Sequence, residues 1–118
     1  MRARDDGATA RGWQELPDEE HVTVAVEAFR MLADPTRLRI LWLLCQAESD
    51  VSGLVTRVGV ARPAVSQHLG KLRLAGLVAT RREGRRSVYR ARGGHVLRLL
   101  DEALSAADHH LTGALDHG

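Results

Sequence analysis

Apolar residues recur at the three- and four-residue spacing of amphipathic helices along most of this chain. In the first such segment Asp18 can cap a helix that includes Phe29. Asp34 then interrupts the pattern and can cap a second helix, with Pro35 at its first position and its end near Ala47. The apolar stripe of the first helix comprises Val22, Val26, Phe29 and Leu32.

Two shorter helical patterns follow. A third helix is predicted over residues 51–58, with Ser49 or Asp50 as its cap and Gly59 at its end. After a short turn, a fourth helix is predicted from about residue 62 to residue 74. Its buried stripe is predicted to be Val65, Leu69 and Leu72.

The pattern then changes to two β-prone runs, residues 77–83 and 85–91, around Gly84, which predicts a hairpin. A last helix is predicted from His95 to about Leu111. Its apolar residues occupy more than one stripe, so one face is expected to pack on its own domain and the other on a second copy of the chain.

These elements predict a mainly α fold with a small β-hairpin wing, in the order α1-α2-α3-α4-β1-β2-α5: a winged helix-turn-helix. The chain has 118 residues, a one-domain length. We expect a flexible tail over residues 1–16, one winged helix-turn-helix domain that also dimerises over 17–112, and a flexible histidine-containing tail over 113–118. No apolar run reaches transmembrane length and no signal peptide is visible, so a cytoplasmic protein without a membrane partner is expected.

The basic residues are concentrated in one part of the sequence. Between Arg62 and Arg92 lie nine Lys or Arg and one acid, Glu83. Such a block is typical of a protein that binds a polyanion, although a solvated charged face has the same composition. Sixteen of the seventeen basic residues are Arg, which suits bidentate contacts to phosphate and guanine but equally follows from a GC-rich genome.

Helix, Gly-containing turn, helix and an Arg-rich hairpin together indicate recognition of double-stranded DNA. The fourth helix is expected to read bases in the major groove, and the hairpin to hold the phosphate backbone. The predicted base-reading face comprises Arg62, Pro63, Ser66, Gln67 and Lys71. The predicted backbone contacts are Arg81, Arg82, Arg85 and Arg86. A protein-interaction module with the same layout is the alternative, but such modules seldom carry so many cations.

Three stretches of this sequence resemble the ArsR/SmtB family of bacterial transcriptional repressors. They are FRMLADPTRLRIL at 29–41, PAVSQHLGKLR at 63–73, and AGLV at 75–78 leading to GRRSVY at 84–89. The resemblance implies a homodimer through the first and last helices and a palindromic operator with one recognition helix per half-site. It also implies release of DNA when an inducer, often a metal ion, binds.

The histidines match the family's last-helix metal site only in part. His95 matches the first histidine ligand and His109 the final one, but Gly93 and Ala106 stand at the other two ligand positions. The family's Cys-x-Cys site is also missing, because residues 50–52 are Asp-Val-Ser. The lone Cys45 is interpreted as a buried, inert thiol, and His68 as a residue that packs or hydrogen-bonds beside the buried stripe.

The remaining pattern resembles the actinobacterial nickel- and cobalt-responsive branch of the family. The candidate ligands that this resemblance implies are His95, Asp108, His109, His110 and His117. His95 and His109 are fourteen residues apart, about 21 Å along one helix, so a shared ion requires an antiparallel pair of last helices in a dimer. Imidazole and carboxylate ligands favour nickel or cobalt, with zinc second, and no organic cofactor is expected.

Two alternatives to metal regulation stay open. A histidine-containing C-terminus can bind metal weakly without any regulatory effect. A DNA-binding repressor without its own metal site can instead be controlled by a partner protein. An enzyme is not expected, because the sequence shows no nucleophile–base arrangement, phosphate loop or paired carboxylates.

Overall fold

A computed structural model of the chain describes residues 15–116, with the backbone alone for residues 114–116. Within that range five helices surround a small three-stranded antiparallel sheet. The helices are α1 (Glu19–Leu32), α2 (Pro35–Gln46), α3 (Val51–Val58), α4 (Arg62–Leu74) and α5 (Gly93–Asp116). The strands are β1 (Ser49–Asp50), β2 (Val78–Glu83) and β3 (Arg86–Ala91).

Aspartate caps start the first three helices. The side chains of Asp18, Asp34 and Asp50 each accept a hydrogen bond of 2.9 Å from the backbone N–H three residues later. These backbone N–H groups are also the main reason why the pKa of each capping carboxyl lies below its ordinary value of 3.8. The predicted helix starts are therefore confirmed, as is the end of α3 at Gly59, where φ is +76°.

The core is aliphatic and lies between α2, α3, α4, the hairpin and the first half of α5. Leu41, Leu54 and Leu69 are completely buried at its centre. The buried residues that form this core cluster are Ile40, Leu41, Leu44, Leu54, Val65, Leu69, Leu72, Val78, Val96 and Leu100. The predicted stripe of α4 belongs to this set, so the core holds one side of α4 and leaves the other side to solvent.

One strand is not anticipated by the sequence pattern. Ser49 and Asp50 form β1 and pair with Tyr89 and Val88 of β3, which places β3 at the centre of the sheet. A two-residue strand is too short to show the period-two alternation that identifies a strand. The predicted hairpin is confirmed, with residues 78–83 paired to residues 86–91 in register.

Helix α5 is longer than predicted. It begins at Gly93 and continues to Asp116, past the predicted end near Leu111. The hydroxyl of Thr112 donates to the carbonyl of Asp108 at 3.0 Å, and the helix continues through Gly113. The predicted N-terminal tail falls largely on residues 1–14, which lie outside the described residues, as does His117.

Two helices carry apolar side chains that the single chain does not bury. Helix α1 has no buried residue, and Phe29 is 56% exposed. Helix α5 buries Val96 and Leu100 but exposes Leu97, Leu104 and Leu111, which recur every seven residues along it. None of the helices in residues 15–116 is long and apolar enough to cross a membrane.

Candidate nucleic-acid interface

The outward face of α4 carries the residues predicted to read bases. Val65, Leu69 and Leu72 fix the helix to the core with no exposed surface. The side chains on the opposite side are all exposed: Arg62, Pro63, Ser66, Gln67 and Lys71. Gly70 lies on the same face with open space around its Cα, so another surface can approach the backbone closely there.

A polar cleft of about 280 Å³ connects α4 with the wing. At its centre the guanidinium of Arg62 donates a hydrogen bond to the hydroxyl of Ser52 in the first turn of α3. The residues lining the cleft are Asp50, Val51, Ser52, Arg62, Arg85, Arg86, Ser87 and Tyr89. Ser52 and Ser87 are not among the predicted DNA-binding residues, because no local sequence signal distinguishes them from other serines.

The four wing arginines are of two kinds. Arg81 donates to Glu48 at 2.7 Å and to Glu83 at 2.9 Å. Arg86 donates to Asp50 at 2.8 Å and to Glu83 at 2.7 Å. Arg82 and Arg85 are exposed and have no ion-pair partner among residues 15–116.

The strand register explains this division. Glu83 lies opposite Arg86, and Arg81 is two residues from Glu83, so these three side chains share one face of the hairpin. Arg82 points to the other face, and Arg85 lies in the two-residue turn beside Gly84, whose φ is +64°. The hydrogen bonds from Arg86 and then Arg81 lower the pKa of the Glu83 carboxyl. The bonds to Glu48 and then Glu83 raise the pKa of Arg81, and those to Glu83 and then Asp50 raise the pKa of Arg86.

Arg82 and Arg85, which have no ion-pair partner among residues 15–116, are the wing cations best able to bind a phosphate. Arg81 and Arg86 already have two carboxylate partners each, so a phosphate would have to compete with Glu83 for them. All four wing arginines are exposed at the turn end of the predicted hairpin.

The candidate metal ligands do not converge within one chain. Among residues 15–116 no three His, Cys, Asp or Glu side chains are close enough together to hold an ion. His95 lies in the first turn of α5, where its Nδ1 is 2.9 Å from a guanidinium nitrogen of Arg98. His109 and His110 lie further along the same helix, beside an open depression of about 470 Å³ that Glu102 also lines.

These residues fit a nickel, cobalt or zinc ion by donor type, since they offer imidazole and carboxylate groups. They do not fit by position in a single chain, because α5 is continuous between His95 and His109. The fit therefore depends on donors from two chains, as the sequence analysis required. Cys45 is half-buried rather than fully buried as expected, and burial raises the pKa of its thiol.

Comparisons with known proteins identify the family. Residues 34–80 match the sequence profile of the bacterial regulatory proteins of the arsR family. The chain is 47% identical over 102 residues to the HTH-type transcriptional regulator KmtR of Mycobacterium tuberculosis, covering 86% of this chain and 78% of KmtR. It is 36% identical over 91 residues to the HTH-type transcriptional repressor SmtB of the same species, covering 77% and 67%.

A solved structure gives the same result for the fold. The solution structure of a homodimeric winged helix-turn-helix DNA-binding domain from Mycobacterium bovis matches with a TM-score of 0.74 and 35% identity, covering 85% of this chain and 93% of that one. These matches confirm the predicted fold class and the resemblance to the family. The relatives are transcriptional regulators, as predicted, and not enzymes. This chain therefore belongs to the ArsR family of bacterial transcriptional regulators and has its DNA-binding winged helix-turn-helix fold.

Proposed function

We propose that the protein is a dimeric repressor that binds a palindromic operator in bacterial cytoplasm and responds to a metal ion. The observation that carries the DNA-binding part is the geometry of α4. Its apolar stripe is fully buried, so its exposed polar face is held rigidly beside an arginine-rich wing. The name of the SmtB relative, a transcriptional repressor, supports repression as the outcome.

The two elements have different tasks in this proposal. Gln67 and Ser66 are suited to base edges in the major groove, where Gln pairs with adenine and Ser with several bases. Arg82 and Arg85 are suited to phosphates, which position the protein without specifying sequence. Arg62 stands between the two, because its hydrogen bond to Ser52 directs it into the cleft that faces the wing.

Dimerisation is supported by the unburied apolar faces of α1 and α5. Helix α1 has no buried residue and exposes Val22, Val26 and Phe29 at helical spacing. Packing on its own domain therefore removes little of its apolar surface from water. The seven-residue repeat of Leu97, Leu104 and Leu111 is the spacing at which two helices pack along a shared seam. The homodimeric state of the Mycobacterium bovis domain supports the same assembly.

The proposed regulatory ion would be held by α5 residues of both protomers. His95 of one protomer and Asp108 and His109 of the other are the proposed ligands, with His110 and His117 as further donors. Bound nickel or cobalt, or less favourably zinc, would supply a cross-link between the two copies of α5. His95 must leave its contact with Arg98 to serve as a ligand, because a neutral imidazole that accepts a hydrogen bond at Nδ1 carries its proton on Nε2 and has no nitrogen left for a metal ion.

Fluorescence anisotropy can test the regulation. A labelled duplex selected by the protein from random-sequence DNA is titrated at fixed salt, first with a chelator and then with Ni²⁺, Co²⁺ or Zn²⁺. A change in affinity of about tenfold with one ion, about 1.4 kcal/mol of coupling, is expected for a metal-responsive regulator. The change should vanish in His95→Ala and His109→Ala but persist in His21→Ala, which removes an exposed histidine from α1 instead.

A repressor controlled by a partner protein is the second candidate. It is favoured by Gly93 and Ala106, which supply no side-chain donor where the family's last-helix site has ligands. Tight DNA binding that no ion alters would support this candidate and refute metal regulation.

A further inference from the structure

Arg37 joins the end of α1 to the recognition helix. Its Nε donates to the carbonyl of Met31 at 2.8 Å, and its Nη2 to the carbonyl of Arg30 at 3.4 Å. These carbonyls lie in the last turn of α1, where a cation is also favoured by the helix dipole. The guanidinium of Arg37, a residue of the first turn of α2, is thus held at the C-terminus of α1.

The same guanidinium contacts α4 through His68. Nη1 of Arg37 lies 3.3 Å from Nδ1 of His68. A guanidinium can only donate, so Nδ1 must be the acceptor, and the neutral ring carries its proton on Nε2. Nε2 faces the carboxylate of Asp34 at 3.9 Å, too far for a hydrogen bond but close enough for electrostatic attraction.

His68 is placed where a directional contact affects DNA recognition. It follows Gln67, on the exposed face, and precedes Leu69, which is completely buried. Apolar packing of Val65, Leu69 and Leu72 holds α4 against the core, but such packing is non-directional. The Arg37–His68 hydrogen bond adds direction, and Arg37, in the first turn of α2, also donates to the last carbonyls of α1, the helix whose apolar face is exposed.

We propose that Arg37 and His68 form a positioning link that sets the orientation of α4 relative to α1. In a dimer this link fixes how the two recognition helices match the spacing of the operator half-sites. His68 is then a positioning residue and does not itself read a base. The inference rests on the dimeric, DNA-binding function proposed above and extends it to the choice of half-site spacing.

The test compares duplexes that differ only in spacing. The selected palindrome is altered by one base pair added or removed at its centre, which rotates one half-site by about 34° relative to the other. A fourth duplex carries one half-site alone. Wild type, His68→Leu, His68→Asn and Gln67→Ala are titrated against all four, and their thermal unfolding is recorded to verify folding.

Wild type is expected to bind the altered duplexes about tenfold more weakly than the selected one. His68→Leu should reduce this preference to about threefold or less, while its affinity for the single half-site falls far less. His68→Asn should restore the preference, because its amide oxygen can take the place of Nδ1. Gln67→Ala should weaken binding to every duplex and keep the preference for spacing.

Three results would overturn the link: a folded His68→Leu variant with the full spacing preference, a wild type that is indifferent to spacing, or an Asn variant no better than Leu. A wild type that selects no palindrome would refute the dimeric repressor itself and the link with it. The two failures are therefore distinguishable.

Discussion

Replacing Arg85 by alanine is expected to remove one phosphate contact and leave the wing intact. Arg85 is exposed in the hairpin turn and has no ion-pair partner among residues 15–116. Each phosphate contact contributes about 0.9 to the slope of log Kobs against log salt on duplex DNA. The variant should lose about this much slope, so its affinity deficit should shrink by about 3.5-fold between about 50 and 200 mM salt.

Arg81→Ala is the matched control, since it removes the same charge from the same hairpin. Arg81 is already paired with Glu48 and Glu83, at 2.7 and 2.9 Å, so its guanidinium has fewer N–H groups available to a phosphate. Its slope should fall by less than half as much as that of Arg85→Ala. Anisotropy titrations on a non-specific duplex across the salt range measure both slopes. Equal losses, or a larger loss for Arg81→Ala, would refute the division of the wing arginines into paired and free groups.

Four further outcomes are expected. Gln67→Ala should cost about 1–3 kcal/mol of discrimination between the selected duplex and single-base variants, with the salt slope unchanged; a changed slope and retained discrimination would assign Gln67 to the backbone instead. Leu69→Ala should lower the free energy of unfolding by about 2–5 kcal/mol in urea denaturation, because its side chain is completely buried; a loss near zero would contradict that placement. Phe29→Glu should yield monomers in sedimentation analysis, whereas an unchanged dimer would exclude this face of α1 from the interface. The pKa of Asp50 is lowered in the folded state, mainly by the N–H of Gly53, so wild type should be more stable than Asp50→Asn near neutral pH. That advantage should disappear as the pH falls below 3.8 and the carboxylate takes up its proton, and an advantage that persists in acid would refute the role of the charge.

Local signals explain why the sequence predicts so much of this fold. The capping aspartates Asp18, Asp34 and Asp50 act on N–H groups only three residues away, so the sequence window around each cap already contains the interaction. The buried stripe of α4 can be predicted from the helical spacing of its apolar residues alone. The prediction that His68 packs or hydrogen-bonds beside that stripe is confirmed by its contact with Arg37.

Interactions between distant segments explain what the sequence does not predict. The pairing of Arg81 with Glu48 and of Arg86 with Asp50 depends on β1 lying beside β3, and no local pattern indicates so short a strand. For the same reason the cleft between α3 and the wing is visible only in the folded chain. The proposed metal site cannot be read from one folded chain either, because it requires residues from two chains.

If two copies of α4 read a palindrome, the purified protein should select paired half-sites from a library of random-sequence DNA, as sequencing of the bound DNA would show. Two inverted half-sites whose centres lie about one helical turn apart should be enriched. Enrichment of a single unpaired half-site, or of no sequence at all, would contradict this prediction.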